Sequence, residues 1–557
     1  MIRNLLLVCS LFLLLPVSQQ AQDGGRFSGN LEANGNFFRR DTVIGAANTP
    51  QYDNQLYGAD AWLNMNYSNW GFDFGVRFDL FNNSNLLNPQ GSYSDQGIGA
   101  WYINKNIDKL HIKAGYIYDQ IGSGIIYRAY EQRALAIDNA LVGLRLAYDL
   151  RPDWQVRVFT GRQKQQFALY GSVIKGMSID GFISGGDEAN WSIAPGFGIV
   201  NRTLDDGSMN SLIATLNTYL KKDAFVPVYN TYAFSVYNTL TAGKFSWYLE
   251  GAYKTKDAMN DEFLERETVS GDTIIGRFID DPGTVVYTSI GYANKGWGIT
   301  LEGKRTENFV FRTRPQEELF RGLINFLPPM ARVNTYRLNA RYTAAVQPLG
   351  EMAFQADVTY APTRKLSFNA NFSNITDLEG DLLYREIFTE VSVKKARKWQ
   401  LLTGVQLQNY NQEVFEFKPG VPIVETVTPY ADFLLRLPKK KSIRFEAQYM
   451  LTGEDHGVKH DYGDWVFGLI EFGIAPHWTF TVSDMYNIGP GKRSPVDAET
   501  GEKLKIHYPR VDVFYTYNSS RFSLSYVKQV EGIVCTGGIC RVEPAFSGVK
   551  MTVNSSF

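Results

Sequence analysis

Two cysteines near the carboxyl end are the residues whose spacing points most directly to chemistry. Cys535 and Cys540 belong to the sequence Cys-Thr-Gly-Gly-Ile-Cys. If Gly537-Gly538 form a two-residue hairpin turn, Cys535 faces Cys540 in a non-hydrogen-bonded pair, where cross-strand side chains lie closest. The spacing therefore predicts a disulfide at the tip of a loop. The alternative is a metal-binding or redox-active pair, which needs further ligands that this loop does not supply.

A second group of polar side chains could bind a divalent metal ion. His456 and His460 are flanked by Asp455 and Asp461, and imidazole and carboxylate groups are metal ligands. We expect these residues in a loop, where sequence spacing fixes no coordination geometry. The alternative is a solvated loop tip, and we predict no metal site.

A charged segment between residues 118 and 139 could shape the field inside a pore. Arg128, Glu131, Arg133 and Asp138 place both charge signs within a few residues. Charges that face one another across a constriction set the field inside a porin eyelet. We therefore predict a constriction at these four residues. The alternative is a loop whose salt bridges are internal and have no role in transport.

Catalysis has little support in the sequence. An outer-membrane hydrolase needs a nucleophile or an activated water beside a histidine, and His111, His477 and His507 have no recognisable partner. There is no phosphate loop and no zinc signature. The formal net charge of -1 gives no reason to invoke nucleic acid. We predict that the protein is not an enzyme and uses no cofactor.

The elements that position these groups are alternating strands. At the carboxyl end, Val549, Met551, Val553 and Phe557 alternate with polar residues, and the last residue is aromatic. A strand with one apolar face and one polar face can separate lipid from a water-filled lumen. The pattern predicts the last strand of an outer-membrane barrel, with Val553 and Phe557 as the signal that contacts the barrel-assembly machinery.

The same alternation recurs along the chain, for example in 27–37, 72–80, 366–373 and 444–451. The second face of these strands carries charges and amides, so it does not form a protein core. We expect these side chains to line a wet lumen. They include Asp73, Arg77, Asp79, Lys113, Asn369, Asn371, Arg444 and Glu446.

The connections alternate in length, which predicts short periplasmic turns and long extracellular loops. The predicted short turns are Ser68-Asn69, Arg151-Pro152-Asp153, Asn294-Lys295-Gly296, Pro362-Thr363-Arg364, Pro438-Lys439-Lys440, Ala475-Pro476 and Asn518-Ser519. Tryptophans at the membrane interface follow such turns: Trp70, Trp154, Trp191, Trp297, Trp399 and Trp478. The count is about 24 strands. Counts of 22 or 26 stay open because 202–227 is ambiguous.

The amino terminus reads as a secretory signal peptide. Arg3 precedes an apolar run over 5–15, which is too short to span a bilayer as a helix. We assign 1–21 to the signal and 22–557 to one all-β transmembrane barrel domain in the outer membrane.

A barrel this wide cannot be filled by the side chains of its wall. The best candidate plug is the segment 307–350, whose apolar residues need a place to bury. Its stretch 317–327 could form an amphipathic helical turn that ends at Pro328-Pro329. The alternative is an ordinary surface loop. The proposed plug residues are Glu317, Phe320, Leu323, Phe326 and Pro328.

Three stretches resemble segments of a known family: GSGIIYRAYEQRALAIDNALVG from Gly122, PGFGIVNR from Pro195, and QPLGEMAFQADVTY from Gln347. They are similar to recurring segments of an uncharacterised outer-membrane barrel family of Bacteroidota, a domain of unknown function. The resemblance covers most of the mature chain. It implies the barrel fold and an outer-membrane location, and it assigns no catalytic or binding residue.

Two functions therefore compete. The first is a porin-like passive channel for small solutes, in which loops folded into the lumen form the constriction. The second is a closed barrel that acts as a subunit or scaffold of a larger outer-membrane complex and docks another barrel or surface lipoproteins. A gap beside the segment 307–350 favours the channel. Complete occlusion together with an exposed apolar loop surface favours the partner role.

Overall fold

The computed structural model describes residues 25–88, 90–186, 190–319, 321–536 and 539–557, with no side-chain description for 533–542. The predicted signal peptide, Phe320 and Gly537-Gly538 lie outside the described residues. Within the described part of the chain, no helix is both long enough and apolar enough to cross a membrane.

The wall is a closed antiparallel barrel of 24 strands, so the predicted fold class is confirmed. Sequential strands pair with one another, and the first strand pairs with the last from Asn30↔Ser556 to Phe38↔Gly548. In chain order the strands are β1 (Arg26–Phe38), β2 (Tyr57–Asn69), β3 (Phe72–Ser84), β4 (Tyr93–Ile107), β5 (Leu110–Ile117), β6 (Leu141–Arg151), β7 (Trp154–Gln165), β8 (Ala168–Gly181), β9 (Trp191–Thr203), β10 (Asn230–Ala242), β11 (Phe245–Glu267), β12 (Thr273–Asn294), β13 (Trp297–Glu307), β14 (Gly350–Thr363), β15 (Leu366–Thr376), β16 (Leu382–Lys395), β17 (Trp399–Tyr410), β18 (Val424–Leu437), β19 (Lys441–Thr452), β20 (Gly463–Ile474), β21 (Trp478–Pro490), β22 (His507–Tyr517), β23 (Ser520–Gln529) and β24 (Phe546–Ser556).

Most connections at one end of the barrel are short turns and most at the other end are longer loops, and each predicted short turn lies within two residues of an observed one. We call the two ends of the barrel the short-turn end and the long-loop end. The outer face is apolar: side chains such as Val236, Val482 and Leu524 are exposed by 63%, 57% and 50% although they are hydrophobic. An exposed apolar band of this kind is what a lipid-facing wall requires.

The ambiguous region 202–227 contains a helix, α1 (Asp206–Leu216), and no barrel strand. Asp205 caps it, because its carboxylate accepts a hydrogen bond from the backbone N–H of Ser208 at 3.0 Å. Its buried face packs Leu212 against Ala258 and Phe278. A second helix, α2 (Gln412–Glu416), lies between β17 and β18.

Only the half of the lumen next to the long-loop end is filled. On β15, inward-facing Asn369 is partly exposed, whereas Asn371 and Ser373 farther along the strand are buried. On β19, the exposed fraction of the side chain is 29% for Arg444 and 2% for Gln448. The short-turn half of the lumen is therefore a solvent-lined vestibule, and the long-loop half contains a plug.

We expect the seam between β1 and β24 to be sensitive to side-chain volume at Gly29. The backbones of Gly29 and Phe557 exchange two hydrogen bonds of 2.9 Å, and a Cβ at Gly29 would lie 2.6 Å from the Phe557 ring and 2.7 Å from a backbone oxygen. Gly29→Val should therefore cost about 1–3 kcal/mol and lower the folded fraction. Gly35→Val is the matched control, because a Cβ there meets nothing within 4 Å. Heat-modifiable electrophoretic mobility after refolding measures both variants, and equal folded fractions would contradict the expectation.

Candidate functional site

The plug consists of two chain segments that leave the wall and return to it. We call residues 118–140, between β5 and β6, the first plug segment, and residues 308–349, between β13 and β14, the second plug segment. They bond to each other through backbone atoms: Arg128 N–H donates to Ile324 O at 2.9 Å, and Phe326 N–H donates to Gly124 O at 2.9 Å. The predicted constriction and the predicted plug therefore lie together in one structure.

The contact between the two segments is a dry apolar core. Ile125 and Ile126 of the first segment and Phe309 and Phe311 of the second are all 0% exposed, and they belong to one cluster with Ile324. Burying large side chains of this type stabilises a fold by about 1.5–3 kcal/mol each. The two segments are therefore an integral part of the barrel interior.

An ion-pair network fastens the first plug segment to the wall. Arg77 on β3 is 4% exposed and contacts the carboxylates of Asp79 at 2.6 Å, Glu131 at 2.7 Å and Asp138 at 2.7 Å. Lys164 on β7 also pairs with Asp138, at 2.5 Å. Two cations thus contact three carboxylates in a largely buried site.

The remaining predicted constriction residues are also engaged. Arg133 pairs with Glu32 on β1 at 2.7 Å and with Glu131 at 2.9 Å. The guanidinium of Arg128 lies 4.1 Å from the centre of the Phe326 ring, which is cation–π geometry. A constriction formed by Arg128, Glu131, Arg133 and Asp138 stays a prediction, and in the structure all four hold the plug together.

The second plug segment crosses the lumen and bonds to distant strands of the wall. Near its middle, Pro328 O accepts a hydrogen bond from Lys304 on β13. Farther along, Leu338 N–H donates to Gln448 Oε1 on β19 at 2.6 Å, and Gln408 Nε2 on β17 donates to Tyr342 O at 3.1 Å. These contacts reach from β13 to β19, so the segment forms a strap across the barrel.

No helix forms in the described part of the second plug segment, which differs from the expected helical turn. Instead, the segment forms a small hairpin. Arg312 and Leu323 form an antiparallel β-bridge, and Thr313 N–H donates to Gly322 O at 2.8 Å. Extended backbone is favoured because its groups find partners on neighbouring segments. Of the proposed plug residues, Pro328 is buried, Leu323 and Phe326 are half-buried, and Glu317 is partly exposed beside Arg314.

A cavity of about 510 Å³ lies between the second plug segment and the wall of the last strands. Val333, Thr335 and Arg337 are exposed in this stretch, although Tyr336 and Leu338 are 8% and 1% exposed. Sequence analysis missed the site. The signal that could have found it is the recurrence of arginine at 332, 337 and 341 in a segment assigned to the lumen.

Charged groups of both signs line this cavity. Asp461 is 4% exposed and lies 3.7 Å from Arg341 and 3.8 Å from Arg493. Glu416, at the end of α2, pairs with Lys418. Burial raises the pKa of Glu416 to about 7, and the nearby Asp461 carboxylate adds to the increase. The cavity wall therefore contains a carboxyl group that titrates near neutral pH.

The histidine and cysteine candidates lie outside the plug. His456 is 95% exposed and lies 3.5 Å from Asp455. Among the described residues, no three His, Cys, Asp or Glu side chains are grouped to hold a metal ion. Cys535 and Cys540 are register partners in the hairpin Gly532–Thr536/Ile539–Glu543. Their side chains lie outside the described atoms, so the disulfide stays a prediction.

These features define a class: a closed antiparallel barrel of the outer-membrane type whose own loops form a plug. The chain belongs to a family of unknown function, DUF6029, whose model matches residues 1–557. No curated protein matches the sequence.

Solved structures of outer-membrane proteins are similar to this chain at low identity. The P pilus usher PapC translocation pore is 9% identical, with 95% of this chain and 99% of that chain covered and a TM-score of 0.42. The siderophore receptor PirA from Pseudomonas aeruginosa is 8% identical, with 97% and 81% covered and a TM-score of 0.39. The ferric citrate transporter FecA is 9% identical, with 97% and 80% covered and a TM-score of 0.39.

Removing the cation at the centre of the buried network should loosen the first plug segment. Arg77→Met leaves Asp79, Glu131 and Asp138 close together with too few partners, and breaking a buried pair in this way costs about 3–5 kcal/mol. Arg305→Met is the control, because the Arg305–Glu307 pair is 45% and 42% exposed and is worth at most about 1 kcal/mol. Urea unfolding in lipid vesicles, followed by tryptophan fluorescence, compares them. Similar unfolding midpoints would show that the network does not hold the plug.

Stability should depend on pH through Glu416. Its pKa is higher in the folded protein than the ordinary value of 4.5, so folding favours the protonated form. The stabilisation is present below about pH 4.5 and is lost as the pH rises to about 7, by up to about 3 kcal/mol. Glu416→Gln keeps a neutral group, so its stability relative to wild type should increase over that range. A constant difference in unfolding free energy between pH 4.5 and 8 would contradict this expectation.

Proposed function

We propose that the protein is a non-enzymatic outer-membrane channel for small polar solutes. The path starts in the vestibule at the short-turn end and passes the second plug segment along the wall formed by β20–β24. The observation that carries the proposal is the exposure of the Arg337 side chain inside the barrel, between the buried Tyr336 and Leu338. A fully packed plug would bury this side chain or give it a partner on the wall.

The architecture supports a location in the cell outer membrane. An even number of antiparallel strands, short turns at one end and long loops at the other are features of outer-membrane barrels. The apolar outer face supports contact with lipid. We infer that the predicted signal peptide directs export and that the last strand, with Val553 and Phe557, contacts the assembly machinery during insertion.

The charges around the cavity support polar solutes. Arg337 belongs to the plug, whereas Glu531 and Glu543 border the cavity at the base of the hairpin between β23 and β24. Both charge signs next to a narrow passage create a transverse field, which favours dipolar solutes over apolar ones. The field of the passage therefore comes from residues other than the constriction that the sequence predicts.

One observation favours the alternative of a barrel that docks a partner. Strands β11 and β12 have 23 and 22 residues, about twice the length needed to cross a membrane. Near the tip of their hairpin, Val269 and Ile275 are 70% and 66% exposed. Val226, in the connection between α1 and β10, is 87% exposed. A projecting apolar surface of this kind could contact another barrel or a surface lipoprotein.

Cysteine accessibility tests the channel. Purified protein with Cys535 and Cys540 replaced by serine is incorporated into planar bilayers, and Arg337→Cys is treated with a negatively charged methanethiosulfonate reagent. We expect steady conductance that falls severalfold on modification, because the new anion occupies the passage. Leu319→Cys is the control, since Leu319 is 58% exposed but lies outside the 510 Å³ cavity.

The outcomes separate the two functions. Conductance that responds at Arg337→Cys and not at Leu319→Cys supports the channel and its route. Conductance that responds at neither position contradicts the route. Silence of the unmodified protein contradicts the channel and favours the docking role, which co-purification from intact outer membranes then examines.

A further inference from the structure

A second cavity lies at the long-loop end and shares no lining residue with the 510 Å³ cavity. Its volume is about 230 Å³. Most of its lining comes from the far half of β11, from the second plug segment, and from α2 with the residue that follows it, and Arg202 of β9 adds to the floor. The cavity is smaller than the pockets that hold drug-sized ligands, which have volumes of roughly 300–1,000 Å³. Its size fits a small ligand.

Two irregularities in β11 turn its side chains toward this cavity. Between the pairs Asp261↔Arg277 and Glu265↔Ile275, three residues of β11 lie opposite Gly276 alone, and a second register shift separates Lys254 from Asp257. Bulges re-aim side chains and occur beside functional sites. Here they break the alternation of the strand, so Asp257, Ala258 and Met259 are buried in succession. Glu262 and Phe263, which lie in the bulge opposite Gly276, both border the cavity.

The rim of the cavity at Phe263 lies beyond the apolar band of the barrel. Phe263 lies in the far half of β11. The first residue of that strand, Phe245, adjoins a short turn. At about 3.3 Å per residue and a strand tilt of about 40°, Phe263 lies roughly 45 Å along the barrel axis from that turn. The apolar band of such barrels is about 25 Å tall. The site is therefore accessible from the solution at the long-loop end.

An aromatic pair forms the rim of the cavity. The rings of Phe263 and Phe417 are stacked with their centres 5.5 Å apart and their planes at 20°. They are 48% and 50% exposed, and the neighbouring Leu319 is 58% exposed. Half-exposed rings offer both an apolar surface and a negative π face, to which cations are attracted.

Acidic groups outnumber free cations around the cavity. On its floor, Arg202 is neutralised by Asp257 at 2.7 Å. The guanidinium of Arg312 is held by backbone oxygens, with donor–acceptor distances of 2.7 Å to Arg321 O and 2.6 Å to Leu319 O. The carboxylates of Glu262, Glu317 and Glu318 also border the cavity.

Glu262 is the acidic group that a bound cation would stabilise most. Burial raises its pKa, the neighbouring Glu318 carboxylate raises it further, and the Arg312 guanidinium only partly offsets both effects. A bound ammonium group would reverse this balance, because an opposite charge within about 4–6 Å favours the ionised carboxylate.

We propose that this cavity binds a small organic cation with an apolar body. The ammonium group contacts Glu262, and the apolar body lies on Phe263 and Phe417. The proposal does not depend on the channel, because the residues that form this site do not line the 510 Å³ cavity.

The test uses two probes that share an aromatic body and differ in charge. Phenethylammonium and 3-phenylpropionate are titrated by calorimetry into the full-length protein in a non-ionic detergent, with a detergent blank. We expect saturable binding of the ammonium and at least tenfold weaker binding of the carboxylate. Equal binding of both probes, or of neither, would overturn the proposal.

Variants locate the bound probe. Glu262→Gln and Phe417→Ala should each weaken phenethylammonium binding at least fivefold. Glu265→Gln is the control, because Glu265 lies on the same hairpin, carries the same charge and is exposed outside the cavity. Binding that is unchanged in Glu262→Gln, or reduced equally in Glu265→Gln, would assign the affinity to general surface charge and refute the site. Heat-modifiable mobility checks that each variant is folded.

Discussion

The width of the barrel is the constraint from which the other features of this protein follow. Twenty-four strands enclose a lumen that the side chains of the wall cannot fill. The chain fills part of it with two of its own connections, whose apolar faces meet around Ile125 and Phe311. Because these connections occupy only the long-loop half, the same barrel contains a dry core, a wet vestibule and two cavities that border the plug.

Filling a polar-walled lumen creates an electrostatic problem, and the ion-pair network is the solution. Inward-facing strand residues are polar because part of the lumen is wet, so a plug that packs against them buries charges. Arg77 and Lys164 meet Asp79, Asp138 and Glu131 for this reason, and Glu386, Gln406 and Gln408 bond to the strap in the same way. Charged pairs of this kind specify where the plug sits more than they stabilise it.

Much of this architecture could be predicted from the sequence, because a period of two residues and alternating loop lengths are local signals. The strand count was uncertain only where α1 places Leu212 and Leu216 on one face, which mimics a strand in a short window. The second plug segment was also recognisable, since apolar residues in a polar connection need burial, whereas the charges of the first segment predicted a constriction. What local patterns could not predict is which groups stay wet. Arg337 and Arg341 are arginines of the same segment, but Arg337 is exposed and Arg341 packs against Asp461. The reason is that an irregular segment meets the wall at points that only the tertiary fold determines. The bulge that directs Glu262 and Phe263 toward a cavity could not be predicted from the sequence either, since it depends on the partner strand.

The second plug segment leaves and rejoins the wall at directly opposed positions, since Glu307 and Gly350 are paired residues of β13 and β14. The ladder around it is therefore continuous whether the insertion is long or short. An insertion or deletion in this segment therefore changes the plug without changing the strand pairing of the wall. The entropic cost of closing such a loop rises only slowly with its length. The fold thus permits exchange of one interior for another within a single wall.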